Sequence, residues 1–384
     1  MPMMKVVIAP DSFKDALRAG EIAQRIADGL RSVLPDAVID CCPVSDGGEG
    51  FVEAMLAAHP AARLQQTPTF DPLMRMVDAR WVLTADASGR PDVAVFELAE
   101  ASGLERLTSN ERDPAKTSTF GTGTLIEQAL IEGATQIILG IGGSATNDAG
   151  LGIVQALGFD FLDREGKPIE EMITGASLTE VHKIVSVPAE VLGAVRFAVA
   201  CDVTNPLTGP NGAAHVYAPQ KGATPKQVEE LDAGLCHMAQ LWREQLGGDV
   251  EQMPGAGAAG GVGGGLVAML GAELVPGAEL VLDTIGFDER IKDADLVITG
   301  EGRLDSQSLQ GKAAMTVAKR CQKAGVPCVA LVGSVGEGAE QTLDHGLSAY
   351  QVIGQGLPAE ESIRRTGELL ECAAVKLAQE RLMN

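Results

Sequence analysis

DLVITGEGRLDSQSLQGKAAMTVAKRCQKAGVPCVALV, residues 295–332, contains one full step of a parallel sheet. Asp295 to Thr299 is a short aliphatic run of strand character. Gln307 to Ala324 has the period of a helix, closed by Gly325 and Pro327, and Cys328 to Val332 is a second apolar strand. Lys319, Arg320 and Lys323 stand in the last turns, where a helix C-terminus favours cations. The alternation continues with a strand at Tyr350 to Ile353 and a helix from about Glu360 to Arg381. It recurs at the front, with Met4 to Ala9, a helix near Ala19 to Val33, and Val38 to Cys42. Five apolar strands with intervening helices predict one doubly wound parallel sheet assembled from both chain ends.

The middle reads differently. Met76 to Leu83 and Asp92 to Phe96 alternate like antiparallel strands, while Gln136 to Gly140 and Arg196 to Ala200 are apolar strands that run into unusual loops. The expectation is an α/β protein in two parts: a discontinuous domain of residues 1–68 and 285–384, and an inserted mixed α/β domain of residues 69–284, with the ligand in the cleft between them.

Composition narrows the function. The 384 residues suggest two or three domains, and 45% of them are hydrophobic. Gly and Pro together fall short of a low-complexity chain. A net charge of −22 repels phosphate backbones and anionic lipid, so neither nucleic acid nor a membrane surface is an expected partner. Seven cysteines form no CxxC pair and are odd in number, which points to reduced thiols in the cytoplasm. No signal peptide is visible at the start, and the uncharged stretch from Gly255 to Ala272 contains eight glycines, so it reads as a loop entering a buried helix rather than a membrane span.

Ligands of open parallel sheets sit beyond the carboxyl ends of the strands, and the loops there are polar and glycine-rich. They are Pro10-Asp11-Ser12-Phe13-Lys14, Val44-Ser45-Asp46-Gly47-Gly48-Glu49-Gly50 and Gly300-Glu301-Gly302-Arg303-Leu304-Asp305-Ser306 at the two ends. The insertion adds Gly142-Gly143-Ser144-Ala145-Thr146-Asn147-Asp148, which can aim backbone N–H groups at phosphate, then Cys201-Asp202-Val203-Thr204-Asn205-Pro206, and the dense run Pro254 to Gly261.

Each feature also has a plainer explanation. Gly-rich turns often serve only the turn, Asp148 and Asp305 suit helix N-caps, and Lys14, Lys312 and Arg303 taken singly are ordinary surface cations. Gly255-x-Gly257-x-x-Gly260 is a literal GxGxxG, but no hydrophobic strand precedes it, and Gly311-Lys312 lacks the rest of a phosphate-binding P-loop motif. The five histidines are scattered without metal-ligand spacing and no GxSxG occurs, so hydrolase and zinc-enzyme readings lose support. A hydroxyacid oxidoreductase and a non-catalytic sugar-acid sensor are the rivals. The first lacks a placed nucleotide fingerprint and the second lacks a signalling module.

The ordered motifs APDSFK, PVSDGGEG, GIGGSATNDAG, ACDVTNPLTGPNGA, PQKGA, PGAGAAGG and TGEGRLDSQS resemble the bacterial type-1 glycerate kinases, from about Lys5 to the C-terminal helix. The resemblance implies a Rossmann-like domain carrying a nested second domain, and phosphorylation of D-glycerate by ATP and Mg²⁺, mainly to 2-phosphoglycerate. A homo-oligomer is compatible with it. Phosphoryl transfer needs alignment, charge neutralisation and a group to take the hydroxyl proton. On that basis Gly142, Gly143, Ser144, Gly257, Gly260 and Gly261 are expected at the ATP phosphates and Glu301 and Asp305 near Mg²⁺. Lys14 is expected at the moving phosphoryl group, Ser12, Arg303 and Lys312 at glycerate, and Asp46 or Asp202 at the attacking hydroxyl.

Overall fold

The computed structural model describes residues 4–13, 16–45, 50–59, 61–86, 88–185 and 192–382. Its strands, in chain order, are β1 (Lys5–Pro10), β2 (Val38–Cys41), β3 (Arg63–Phe70), β4 (Met76–Ala85), β5 (Pro91–Glu97), β6 (Gln136–Gly140), β7 (Asp160–Leu162), β8 (Lys183–Val185), β9 (Arg196–Ala200), β10 (Glu273–Val275), β11 (Leu296–Leu304), β12 (Cys328–Val335) and β13 (Ala349–Val352). The chain divides into two compact units, one of Met1–Asp46, Glu53–Pro60 and Pro276–Asn384, the other of Gly47–Val52 and Ala61–Val275.

The first unit is built on a parallel sheet in the order β13-β12-β11-β1-β2. The helix Ala19–Val33 buries Ile22, Ala23, Ile26, Ala27 and Leu30, a stripe at helical spacing. It packs with Leu370, Ala373, Ala374 and Leu377 of the helix Thr366–Arg381 over Val6, Ile8, Leu296, Ile298, Val329 and Leu331. A Cβ at Gly29 would crowd the Glu371 carbonyl, so the two helices approach backbone to backbone there. The helix Ala313–Ala324 serves the β11-to-β12 crossover and ends at Gly325, whose φ is +74°. From the central pair the chain steps outward in opposite directions, β1 to β2 and β11 to β12. With right-handed crossovers the connecting helices then lie on opposite faces, and the loops leaving β1 and β11 part. That makes the end of the β1/β11 pair the topological switch point.

Three predicted elements are corrected, and one of them, the helix expected from about Glu360 to Arg381, is two helices, Ala359–Arg364 and Thr366–Arg381, that meet at Arg365. β11 runs on to Leu304, because Arg303 and Leu304 pair with Ser334 and Val335 well beyond the aliphatic run. The single helix expected from Gln307 is a 3₁₀ turn, Ser308–Gln310, broken from Ala313–Ala324 by Gly311 at φ +102°.

The second unit contains a six-stranded sheet, β10-β9-β6-β5-β4-β3, in which β5, β6, β9 and β10 are parallel and β3, β4 and β5 antiparallel. Trp81 stacks on Phe96 across β4 and β5, with ring centroids 5.2 Å apart, and its indole N–H donates to Thr67 Oγ1 at 2.9 Å. Glu97 aligns with Gly140, Gly140 with Ala200, and Ala200 with Val275, so four carboxyl ends share one row. A small antiparallel pair, β7 with β8, forms a separate two-stranded sheet. Among the described residues no helix is long and apolar enough to cross a membrane.

Candidate active site

At the switch point of the first unit, Asp11 donates its amide to Gly300 O at 2.9 Å and so ties the loop after β1 to β11. Ser12 follows, exposed, its amide on Asp11 Oδ1. Glu301 is buried at the next position of β11. Its Oε2 accepts from Lys312 Nζ at 3.4 Å, while Oε1 is buried with no hydrogen-bond partner. Burial raises the carboxyl pKa, against the pull of Ser308 and Lys312. Further along, Arg303 Nε donates to Asp305 Oδ2 at 3.0 Å and Gln307 N to Asp305 Oδ1 at 3.0 Å. Each cation expected at glycerate therefore sits against one of the carboxylates expected near the metal.

The row of carboxyl ends in the second unit carries the other candidate loops. Gly142 and Gly143 are exposed after β6, with Gly143 at φ +69°. The loop then turns inward: Leu104 N donates to Gly143 O, Ala145 N to Ser102 O, and Thr117 Oγ1 to Ala145 O at 2.9 Å. Asp202 is exposed immediately after β9. Gly257, Gly260 and Gly261 are buried. Gly257 donates its amide to Asn205 O. A Cβ at Gly257 would overlap the Pro206 carbonyl oxygen, and one at Gly260 that of Thr146. Gly260 O in turn accepts from Ala149 N at 3.1 Å, so the glycine run lies directly against the segment 146–149.

A family model described as the glycerate kinase family matches residues 6–382. The chain belongs to this family. A glycerate kinase of Halalkalibacterium halodurans is 45% identical over 378 residues, 98% of either chain. One from Escherichia coli, named glycerate 2-kinase, is 47% identical over 90% of this chain and 89% of its own. The crystal structure assigned to glycerate kinase 2 of Salmonella typhimurium LT2 matches with a TM-score of 0.87 and 42% identity, covering 98% of both chains. The enzyme is thus a glycerate kinase, and a kinase of this family takes its phosphoryl group from ATP.

The structure brings Ser12, Glu301, Arg303, Asp305 and Lys312 to one sheet edge of this glycerate kinase. It brings Gly142, Gly143, Ser144, Asp202, Gly257, Gly260 and Gly261 to another. Lys14 and Asp46 lie outside the described residues. For the glycine run the observed role is close backbone packing, which a side chain at Gly257 or Gly260 would prevent. Asp148 satisfies backbone amides, as its place in the sequence allowed, although the N-cap of the helix Leu151–Ala156 is Gly150. Asp148 is fully buried, and it accepts from Thr119 N and Oγ1, both at 2.7 Å, and from Gly150 N and Gly152 N at 3.2 and 3.3 Å. Burial raises its pKa, and these donors oppose the rise.

One residue escaped sequence reasoning. Lys221, in the PQKGA motif, is only 3% exposed and donates from Nζ to Ser144 Oγ at 2.6 Å and Thr146 O at 2.7 Å. Burial lowers its pKa to about 7, with the Asp148 charge opposing. The signal was a cation held between Pro219 and Gly222 in a motif that otherwise carries no charge.

Proposed function

We propose that the enzyme transfers the γ-phosphoryl group of ATP to the 2-hydroxyl of D-glycerate, giving 2-phosphoglycerate and ADP. The observation that carries the regiochemistry is the 47% identity, over nine-tenths of this chain, to the E. coli relative named glycerate 2-kinase. In the transfer the hydroxyl oxygen forms a bond to the γ-phosphorus, the bond from that phosphorus to the bridging oxygen of ADP breaks, and the hydroxyl proton passes to a carboxylate.

Our reading gives the phosphates to the exposed backbone of Gly142 and Gly143 with Ser144, at the end of β6, while Gly257, Gly260 and Gly261 shape that loop from beneath. Ser12, Arg303 and Lys312 hold glycerate, the guanidinium pairing with the carboxylate in a bidentate way. Lys14 neutralises the moving phosphoryl group, and Asp46 or Asp202 takes the proton. Ligand binding would release Arg303 and Lys312 from Asp305 and Glu301 and so free both carboxylates.

A divalent cation fits that donor set. Glu301 Oε1 is a buried carboxylate oxygen without a partner and Asp305 lies close by, and magnesium is commonly held by one or two carboxylates together with substrate phosphates. When bound, Mg²⁺ would offset phosphate charge. Seven unpaired cysteines support a reducing compartment such as the cytoplasm. The test is ADP release from ATP with D-glycerate, with the product resolved as 2- or 3-phosphoglycerate. Formation of the 3-isomer would overturn the regiochemistry and leave the kinase intact.

A further inference from the structure

The loop that follows β6 does not brace itself. Beneath its exposed glycines, Thr146 Oγ1 and both side-chain atoms of Asn147, Oδ1 and Nδ2, are buried with no hydrogen-bond partner. Native interiors satisfy nearly all such groups, so three on two adjacent residues mark a segment shaped by something other than its own side chains. The backbone around it is unusual as well. Ala149 and Ala259 both adopt positive φ, +56° and +54°, on segments joined by the hydrogen bond from Ala149 N to Gly260 O. Non-glycine residues persist in that region only where their surroundings over-determine them.

What holds the loop from below is Lys221. It arrives from a separate element, the 3₁₀ turn Pro219–Lys221, and Gly222 at φ +98° lets that turn lie against the Arg112 carbonyl. Its ammonium reaches two points two residues apart, Ser144 Oγ and Thr146 O. Gly260 leaves room beside the same Thr146 carbonyl. No carboxylate forms an ion pair with Lys221 among the described residues, although Asp148, fully buried, exerts a charge on it. An ammonium has three donors, and two are used here. A lysine buried without a paired acid is costly to keep for packing alone.

We propose that Lys221 is a positioning residue for the nucleotide: it pins Ser144 and Thr146 so that the preceding Gly142–Gly143 backbone is presented to a phosphoryl oxygen of ATP. The inference rests on the reading that this loop binds nucleotide phosphate. It assigns Lys221 no contact with glycerate and no proton transfer.

The test compares Lys221→Met with Lys221→Gln, which keeps a donor of similar reach, by steady-state kinetics with ATP and D-glycerate varied separately. Removing a charged hydrogen-bond donor should raise the KM for ATP by about tenfold or more in Lys221→Met, and the change should be smaller in Lys221→Gln. The KM for glycerate should stay within about twofold in both, since a residue acting only on the nucleotide loop leaves the acid's binding alone. A folded Lys221→Met enzyme with an unchanged KM for ATP, or with both KM values raised alike, overturns the proposal. Should Lys221→Met not fold, the Lys221→Gln enzyme decides: a rise of about threefold or more in the KM for ATP alone supports the proposal, and no rise overturns it. Gly143→Val, which puts a branched side chain at a position of positive φ on the exposed loop, separates the two readings. If it leaves the KM for ATP unchanged, the phosphate reading of the loop fails. If it raises that KM while the Lys221 variants do not, only the inference about Lys221 fails.

Discussion

Glu301 presents one carboxylate oxygen to Lys312 Nζ at 3.4 Å and keeps the other buried without a partner. The unpartnered oxygen is the place where a cation would be welcome. Replacing Glu301 by Gln removes the charge and keeps the shape, so the fold should tolerate it. The expected result is a fall in kcat of about a hundredfold with a weakened dependence on Mg²⁺ concentration. Metal titration of the variant checks this, and a kcat and Mg²⁺ profile like those of the unaltered enzyme would remove Glu301 from the site.

Arg303 and Lys312 are assigned to the same acid group, yet they differ in exposure and partner. Arg303 is largely exposed and leans on Asp305, whereas Lys312 precedes the helix Ala313–Ala324 and faces Glu301. Arg303→Met should raise the KM for glycerate by about tenfold or more through loss of a bidentate pair, with the KM for ATP little changed. Lys312→Met should do the same and in addition raise the Glu301 pKa further. Kinetics with glycerate varied at saturating ATP measure both, and unchanged KM values would exclude the pair from substrate binding.

Asp148 belongs to stability rather than chemistry. Its carboxylate accepts four hydrogen bonds from the backbone and side chain of Thr119 and from Gly150 and Gly152. Asp148→Asn turns one acceptor into a donor facing N–H groups, and should cost about 3 kcal/mol or more in urea unfolding. A loss within about 1 kcal/mol would mean that these bonds are not what holds the segment.

The legibility of this chain follows where its residues are buried. The helix Ala19–Val33 could be read to the residue because its apolar stripe faces the sheet and its exposed face is charged. β3 could not, since RLQQTPTF is mostly polar, sits at the sheet edge and carries Pro68, which an edge tolerates. Glu301, Arg303, Asp305 and Lys312 stood out because a polar run directly after an aliphatic strand marks a loop at the sheet's carboxyl edge, although part of that run proved to continue β11. Gly257 and Gly260 were legible as a glycine run, but whether such a run meets a ligand or another backbone depends on long-range packing, here against Pro206 and Thr146. Lys221 was legible only as the lone cation of the PQKGA motif; its burial and its contacts were not, because its partners lie 77 and 75 residues away in sequence.

That buried lysine also makes stability depend on pH. In the folded chain Lys221 titrates at about 7, and when unfolded near its ordinary 10.5. Between those values the unfolded state binds more protons, so this group's contribution to stability rises with pH across the window and is lost as pH falls back through about 7. The slope approaches about 1.4 kcal/mol per pH unit. Unfolding free energies of the unaltered enzyme and of Lys221→Met from pH 6 to 10 measure it. The difference between the two should grow in favour of the unaltered enzyme as pH rises, and parallel curves would show that Lys221 keeps its ordinary pKa in the folded chain.

The most direct measurement is the phosphorus spectrum of the product made from ATP and D-glycerate. The account predicts stoichiometric ADP and a phosphomonoester on the secondary hydroxyl, 2-phosphoglycerate. A phosphomonoester on the primary hydroxyl would contradict it.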